Sequence, residues 1–266
     1  MSATGIVISS RNRAHYLADT LDDLRRSMLP DASVMLVDDG STQRTAAALL
    51  RDFVLPDVTV RRLHRPAPRG SGVQGICERW LWSRVPLRGP VSRHRAWLAT
   101  LPWIGVAFDR DRFFTVHDAL REGIDALLAA DPSVRTLVIL DADMRLHPMW
   151  LVQLRALFER ERPTRGPLIA TAFHTPHHAV LEEHADLRVK ASLGGCNMMF
   201  DVPLYHEVIR PNLRRGWDWC VVQQMRERGY PMLCTRPSFV QHVGVRGVFS
   251  NPGAVDQAPD FLCDAR

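Results

Sequence analysis

Two spacings of apolar residues alternate along this chain. Short unbroken apolar runs give way to stretches in which apolar residues recur every three or four positions. Ile6-Val7-Ile8 is a run of the first kind and stops at Ser9-Ser10. Leu17, Leu21, Leu24 and Met28 follow at helical spacing, which predicts a helix with one apolar face. Val34-Met35-Leu36-Val37 predicts a second strand, ending at Asp38-Asp39-Gly40-Ser41. Ser41 or Thr42 is the expected cap of the next helix, which runs to about Arg51. Val58 to Leu63 predicts a third strand. Residues from about Thr115 to Ala130 predict a helix that meets the core through Ala119, Ile124, Leu127 and Leu128. Leu137-Val138-Ile139-Leu140 reads as a strand covered on both faces, and it leads straight into Asp141-Ala142-Asp143. Strands alternating with helices imply an α/β, Rossmann-like, mostly parallel sheet flanked by helices.

The second half is less regular. Leu168 to Phe173 predicts a strand, and Gly194-Gly195-Cys196-Asn197 a glycine turn feeding another. Asp201 with Pro203 is a helix-start signal. A helix starts near Trp217, stops at Gly229 and carries Trp217, Cys220, Val221 and Met225 on one face. Strands near Pro231–Cys234 and Ser238–His242 close the pattern. Between about 65 and 112 the alternation breaks. That stretch holds Trp80, Trp82, Trp97 and Trp103 among many arginines and reads as a Trp/Arg-rich insertion. It suits a small subdomain core, an acceptor lid, or a surface lying on a membrane.

The polar residues then gain a place. Ser9, Asp38 and Asp141 each follow directly on an apolar strand. In a parallel sheet these positions converge on the carboxyl edge, where open α/β sheets bind ligands. Two carboxylates one residue apart at that edge suit a divalent ion that holds a phosphate. Simpler roles exist for each: two acids after a strand can cap a helix, and Asp38 and Asp39 can form an Asx-type turn with Gly40.

Composition adds little to this. The formal charge is +5, and nearly all the base is arginine, since Lys190 is the only lysine. That excess suits an anionic ligand such as a nucleotide. Five cysteines, an odd number with no C-x-x-C pair, argue against a disulfide framework and for a reducing, cytoplasmic setting. No apolar run approaches the roughly 20 residues that span a bilayer, and the Trp/Arg-rich stretch would allow peripheral contact at the inner face of a membrane. Gly70-Ser71-Gly72-Val73-Gln74-Gly75 has the letters of a dinucleotide fingerprint but does not follow directly on a strand. His174, His177, His178 and His184 lack a clean zinc pattern and read better as an acceptor-facing loop.

Three segments together resemble the family 2 glycosyltransferases of the GT-A fold: Ile6 to Arg13, Val37-Asp38-Asp39-Gly40-Ser41 and Asp141-Ala142-Asp143. The resemblance implies one GT-A domain over 1–266. Its nucleotide-binding half is 1–145 with the insertion, its acceptor half 146–245, and 246–266 is a C-terminal tail. It also implies that Ser9, Arg11, Asp38 and Asp39 hold the nucleoside and that Asp141 supports the ribose and metal shell. Asp143 becomes a metal ligand, and Gly194 and Gly195 lie near the donor sugar. Trp217-Asp218 resembles the family's "ED" helix, with Trp in place of the usual Glu, which makes Asp218 the catalytic base. Gln241-His242-Val243-Gly244 resembles a segment whose His is a further metal ligand.

The implied cofactor is Mn²⁺ or Mg²⁺, with manganese more tolerant of a mixed oxygen and nitrogen site. The implied donor is a nucleotide-diphosphate sugar, a UDP-sugar first, carrying a hexosyl or N-acetylhexosaminyl group. The acceptor is a glycan, lipid-linked or small-molecule hydroxyl, and one base predicts inversion. Competing readings are a nucleic-acid-modifying sugar transferase, a nucleotidyltransferase-like enzyme and an inactive sugar-nucleotide-binding module. The basic insertion is the sole pointer to nucleic acid, which the rest of the chain disfavours.

Overall fold

The structure, a computed structural model, describes residues 3–66, 116–244 and 256–263. The four tryptophans, the glycine run 70–75 and nearly all of the 65–112 insertion lie outside the described residues. A nine-stranded sheet forms the middle layer. Its first four strands are β1 (Ala3–Ser10), β2 (Ala32–Asp38), β3 (Thr59–His64) and β4 (Val134–Asp141). They pair in parallel in the order β3-β2-β1-β4, as the alternating pattern predicts. Helices α1 (Ala14–Arg26), α2 (Arg44–Asp52) and α3 (Val116–Ala130) connect or cover them.

Beyond β4 the sheet turns mixed. The remaining strands of the sheet are β6 (Ile169–Thr171), β7 (Val180–Glu183), β8 (Leu187–Lys190), β9 (Asn197–Asp201) and β10 (Met232–Thr235). β9 runs antiparallel to both β4 and β6, and β8 antiparallel to β10 and β7. A separate antiparallel pair joins β5 (Met144–Leu146) to β11 (Val240–His242). α4 (Trp150–Arg165) and α5 (Trp217–Glu227) complete the described layers, with a shorter helical run over 202–212 between β9 and α5. Asp201 caps that run by accepting from the Leu204 N–H. Among the described residues no helix is long and apolar enough to cross a membrane.

Side-chain alternation builds a core on each face. Ile6 and Ile8 pack with Leu17, Leu21, Trp150 and Phe158 on one side. Val7 packs with Ile124, Leu127, Val221 and Met225 on the other. Three expectations need correction. Met28 lies beyond the end of α1 and is exposed, because the chain leaves the helix at Ser27. Cys220 is only half-buried beside Val221. Neither Ser41 nor Thr42 caps α2, whose cap residue is Gln43.

Two polar residues on α1 fix β5. Thr20 Oγ1 donates to the Met144 carbonyl and accepts from the Met144 N–H, at 2.9 and 3.1 Å. Asp23, buried, accepts from Arg145 Nε at 2.5 Å and from the Leu146 N–H at 3.0 Å. The strand just past Asp143 is therefore held by α1 on one side and by β11 on the other.

Trp150 is fully buried at the start of α4, and its indole N–H donates to Ser27 Oγ at 3.1 Å. Trp150→Ala should lower stability by about 3–5 kcal/mol in a urea titration. A loss below about 1 kcal/mol would contradict this packing.

Candidate functional site

The register of the parallel strands gathers the strand-end residues. Ser9 pairs with Asp141, Ser10 with Asp38, and Asp38 with His64. Ser9, Asp38 and Asp141 thus stand in a row at one edge of the sheet. Asp143 follows two residues later and is buried.

The loop after β1 is locked onto the loop after β2. Asn12 and Arg13 both adopt left-handed backbone, with φ of 59° and 61°. This conformation is tolerable for Asn and is held here by side-chain bonds. Asn12 Oδ1 accepts from the N–H groups of Thr42 and Gln43, each at 2.9 Å. Its own N–H donates to Ser41 Oγ at 2.9 Å. Asn12 therefore serves donors at the head of α2 that Ser41 and Thr42 leave unserved.

Asp38 and Asp39 are largely committed to the protein. Asp38 Oδ1 accepts from the Ser41 N–H at 2.8 Å, a turn-type bond, and Oδ2 lies 3.0 Å from His64 Nδ1. Asp39 is ion-paired with Arg65, which also reaches Glu122 at 3.0 Å. No sequence pattern marks Arg65, which opens the irregular stretch. Arg11 is half-buried in the same loop.

Asp143 is the electrostatic centre. Arg13 Nη2 donates to its Oδ2 at 2.6 Å, and His242 Nε2 lies 3.3 Å from the same oxygen. His242 gets there by strand register: it pairs with Met144 across β5–β11, and the Val243 N–H donates to the Asp143 carbonyl at 3.0 Å. Burial works against a charge on Asp143. The His242 hydrogen bond and the Arg13 charge outweigh it and hold the carboxyl below the usual range. His242 is likewise desolvated, yet Asp143 raises its pKa overall. Asp141 differs, because burial and the Asp143 charge push it up to about 7 against the pull of His242 and Arg13.

Gly244 has no side chain where one would collide with this pair. A Cβ there would stand 1.9 Å from Asp143 Oδ2 and 2.8 Å from His242 Nε2. The missing side chain leaves a cradle between the two donor atoms. Two cis ligands of an octahedral ion at about 2.1 Å lie about 3 Å apart, close to the separation of Oδ2 and Nε2. The oxygen and nitrogen donors, their spacing and the cradle fit a small divalent cation. Among the described residues no three His, Cys, Asp or Glu side chains converge to hold a metal by themselves. Any ion held by Asp143 and His242 would need further oxygens, as magnesium-type sites take from substrate phosphates.

The glycine loop forms the facing wall. A Cβ on Gly195 would stand 2.5 Å from Trp217 Cζ2 and 3.3 Å from Asp218 Cβ, so only glycine lets α5 approach this closely. The loop continues to Cys196, whose carbonyl accepts from the Asp141 N–H at 2.8 Å. Gly194 and Gly195 thereby link Asp141 to Asp218. Asp218 sits in the first turn of α5, and burial raises its pKa although backbone N–H groups there oppose the rise. His178 flanks the loop. Its Nδ1 is 2.7 Å from Ser192 Oγ, its ring lies 5.9 Å from that of Trp219, and burial keeps its pKa below the usual value. The histidines do not form a zinc cluster, since His174 bonds Lys190 at 3.0 Å and His184 faces Glu182.

Comparison with known proteins bears on the fold. Residues 5–74 match the family model described as Glycosyl transferase family 2. Among solved structures, GalNAc-T7 with UDP, GalNAc and Mn²⁺ superposes with a TM-score of 0.53 at 11% identity, over 91% of this chain and 44% of that one. The mannosyltransferase PcManGT from Pyrobaculum calidifontis, in complex with GDP-Man and Mn²⁺, gives 0.48 at 13% identity over 87% and 54%. TarS from S. aureus gives 0.46 at 9% identity over 91% and 61%. This chain thus spans between 44% and 61% of the length of these structures. No curated protein matches the sequence. The fold is the α/β GT-A fold that the sequence pattern and resemblance imply.

Asn12→Ala removes the acceptor for two amides at the head of α2 and should cost about 1–2 kcal/mol in chemical denaturation. A change within about 0.3 kcal/mol would show that the two loops are not coupled through this side chain.

Proposed function

We propose that this protein is a metal-dependent sugar transferase that moves a sugar from a nucleotide-diphosphate donor to an acceptor hydroxyl. The observation that carries the reading is the pairing of Asp143 with His242 and Arg13 on one side of the glycine loop, with Asp218 on the other. One side suits an anionic leaving group and the other suits a proton acceptor. The family match at residues 5–74 supports the same class of reaction.

In this reading Ser9, Arg11 and Asp39 hold the nucleoside, with Asp38 buttressing the loop that carries Asp39. Asp143 and His242 would hold Mn²⁺ or Mg²⁺, which when bound neutralises diphosphate charge and so improves the leaving group. Arg13 lies on the same carboxylate and would add a second positive charge beside the phosphates. Asp218 takes the proton of the acceptor hydroxyl as its oxygen bonds to the anomeric carbon and the bond to the diphosphate oxygen breaks. Attack from the side opposite the diphosphate inverts that carbon. A UDP-sugar with a hexosyl or N-acetylhexosaminyl group is the first donor to try, since the GalNAc-T7 structure of the same fold holds UDP and GalNAc. Acceptors to try are glycans, lipid-linked sugars and small molecules, with attention to peripheral membrane attachment.

The direct test is a screen of nucleotide sugars for Mn²⁺-dependent hydrolysis, repeated with Asp143→Ala. Turnover of at least one donor, lost on chelation and in the variant, is the expected result. No turnover and no metal-dependent binding of any donor would overturn the reading.

Asp218 has its own signature. It accepts a proton only when ionised, and burial sets its pKa above the ordinary 3.8. The rate at saturating donor should therefore fall as pH is lowered, with its midpoint above that ordinary value. Asp218→Asn should keep donor binding and lose about 10²–10⁴-fold in transfer. Transfer that survives in the variant, or a rate that stays flat down to about pH 4, rules out this base.

A further inference from the structure

Residues 256–263 return to the sheet after a stretch outside the described residues. The Ala258 N–H donates to Gln241 Oε1 at 2.8 Å, and Gln241 Nε2 donates to the Ala258 carbonyl at 3.2 Å. Further along, Phe261 bridges to Ser238, and the Leu262 N–H donates to the Ser238 carbonyl at 3.0 Å. The segment is thus strapped along the chain that carries His242. Its two acids differ. Asp260 is spent on structure: Ser238 Oγ donates to it at 2.7 Å, and Arg188 pairs with it at 2.8 Å. Asp256 has a buried carboxylate oxygen with no hydrogen-bond partner among the described residues.

A buried carboxylate oxygen without a donor is costly and marks a place where a ligand can supply one. The surroundings of Asp256 say where it lies. Its charge is felt by His242 on the Asp143 side, by His178 on the Asp218 side, by Cys196 of the loop between them and by Lys190, whose ammonium bonds to His174 and the Thr175 carbonyl. With the strap bonded to Gln241 next to His242, these neighbours flank the interval between the proposed diphosphate and acceptor sides, and in that reading the interval holds the group being moved. It does not close a three-ligand metal cluster with Asp143 and His242. What the oxygen lacks is a hydrogen-bond donor, which an O–H or N–H group supplies.

We infer that Asp256, carried in by the C-terminal strap, accepts a hydrogen bond from a hydroxyl of the transferred sugar and so contributes to the choice of donor sugar. This rests on the transferase reading above. It makes Asp256 a sugar-binding residue that no sequence motif marks.

The test separates sugar from nucleotide. Calorimetry with Mn²⁺ measures UDP, GDP, UDP-glucose, UDP-N-acetylglucosamine and GDP-mannose on the wild-type chain, on Asp256→Ala and on Gln241→Ala. At least one sugar nucleotide should bind wild type about tenfold tighter than its bare nucleoside diphosphate, the effect of one hydrogen bond to a charged acceptor. Asp256→Ala should erase that increment while its affinity for the bare nucleotide stays unchanged. Gln241→Ala loosens the strap without removing Asp256 and should erase it too, which decides the matter should the first variant fold poorly. An increment kept in either folded variant, or absent from wild type for every sugar, overturns the inference. Wild type that binds no bare nucleotide with Mn²⁺ overturns the transferase reading itself, and this one with it.

Discussion

A buried carboxylate must be neutralised, and the candidate site is organised around meeting that need at Asp143. An unpaired charge there would cost several kcal/mol. Two groups far apart in sequence meet the need. Arg13 arrives because the loop after β1 takes two successive left-handed residues, and His242 arrives because β11 pairs in register with β5. Remove either and the other inherits a poorly compensated buried charge. The three-way contact ties the first loop, the segment after β4 and the separate β5–β11 pair into one unit.

That unit gains meaning from its opposite wall. Cys196 accepts from the Asp141 N–H, and Gly195 lies flat against Trp217. The glycine loop thus sets the distance between the carboxylates after β4 and the one at the head of α5. The two sides are electrostatically distinct. Asp143 is stabilised as an anion by cations, whereas Asp141 and Asp218 are shifted towards the neutral form by burial. Pulling neighbouring carboxyls apart in this way lets one hold positive charge while another handles a proton.

The parallel half of the fold was legible because each strand is a short apolar run ended by a polar residue. Direction was not legible in the second half. The strands there have three to five residues, and an antiparallel β9 has the same apolar pattern as a parallel one. α4 was not foreseen, since its buried stripe includes Arg155, which reaches the Pro30 carbonyl at 2.7 Å, and the helix runs through Pro163. Within the site, Asp141, Asp143, Asp218 and His242 were chosen from their places after strands and in motifs, and the fold brings them around one loop. Arg13, Asn12, Arg65 and Gly244 were not singled out. Their roles depend on positive φ, an inter-loop bond, an ion pair and a missing Cβ, none of which leaves a periodic trace. Asp256 is further still from sequence reasoning, because only the strap's pairing with Gln241 brings it near.

In the proposed mechanism Asp143 and His242 form half of a metal site that a nucleoside diphosphate completes. Equilibrium Mn²⁺ binding, followed by electron paramagnetic resonance with and without UDP or GDP, tests it most directly. Weak binding of the ion alone is expected, with at least about tenfold tighter binding in the presence of one of the nucleotides and the same factor for the nucleotide when the ion is present. Mn²⁺ affinity that is indifferent to both nucleotides would contradict it.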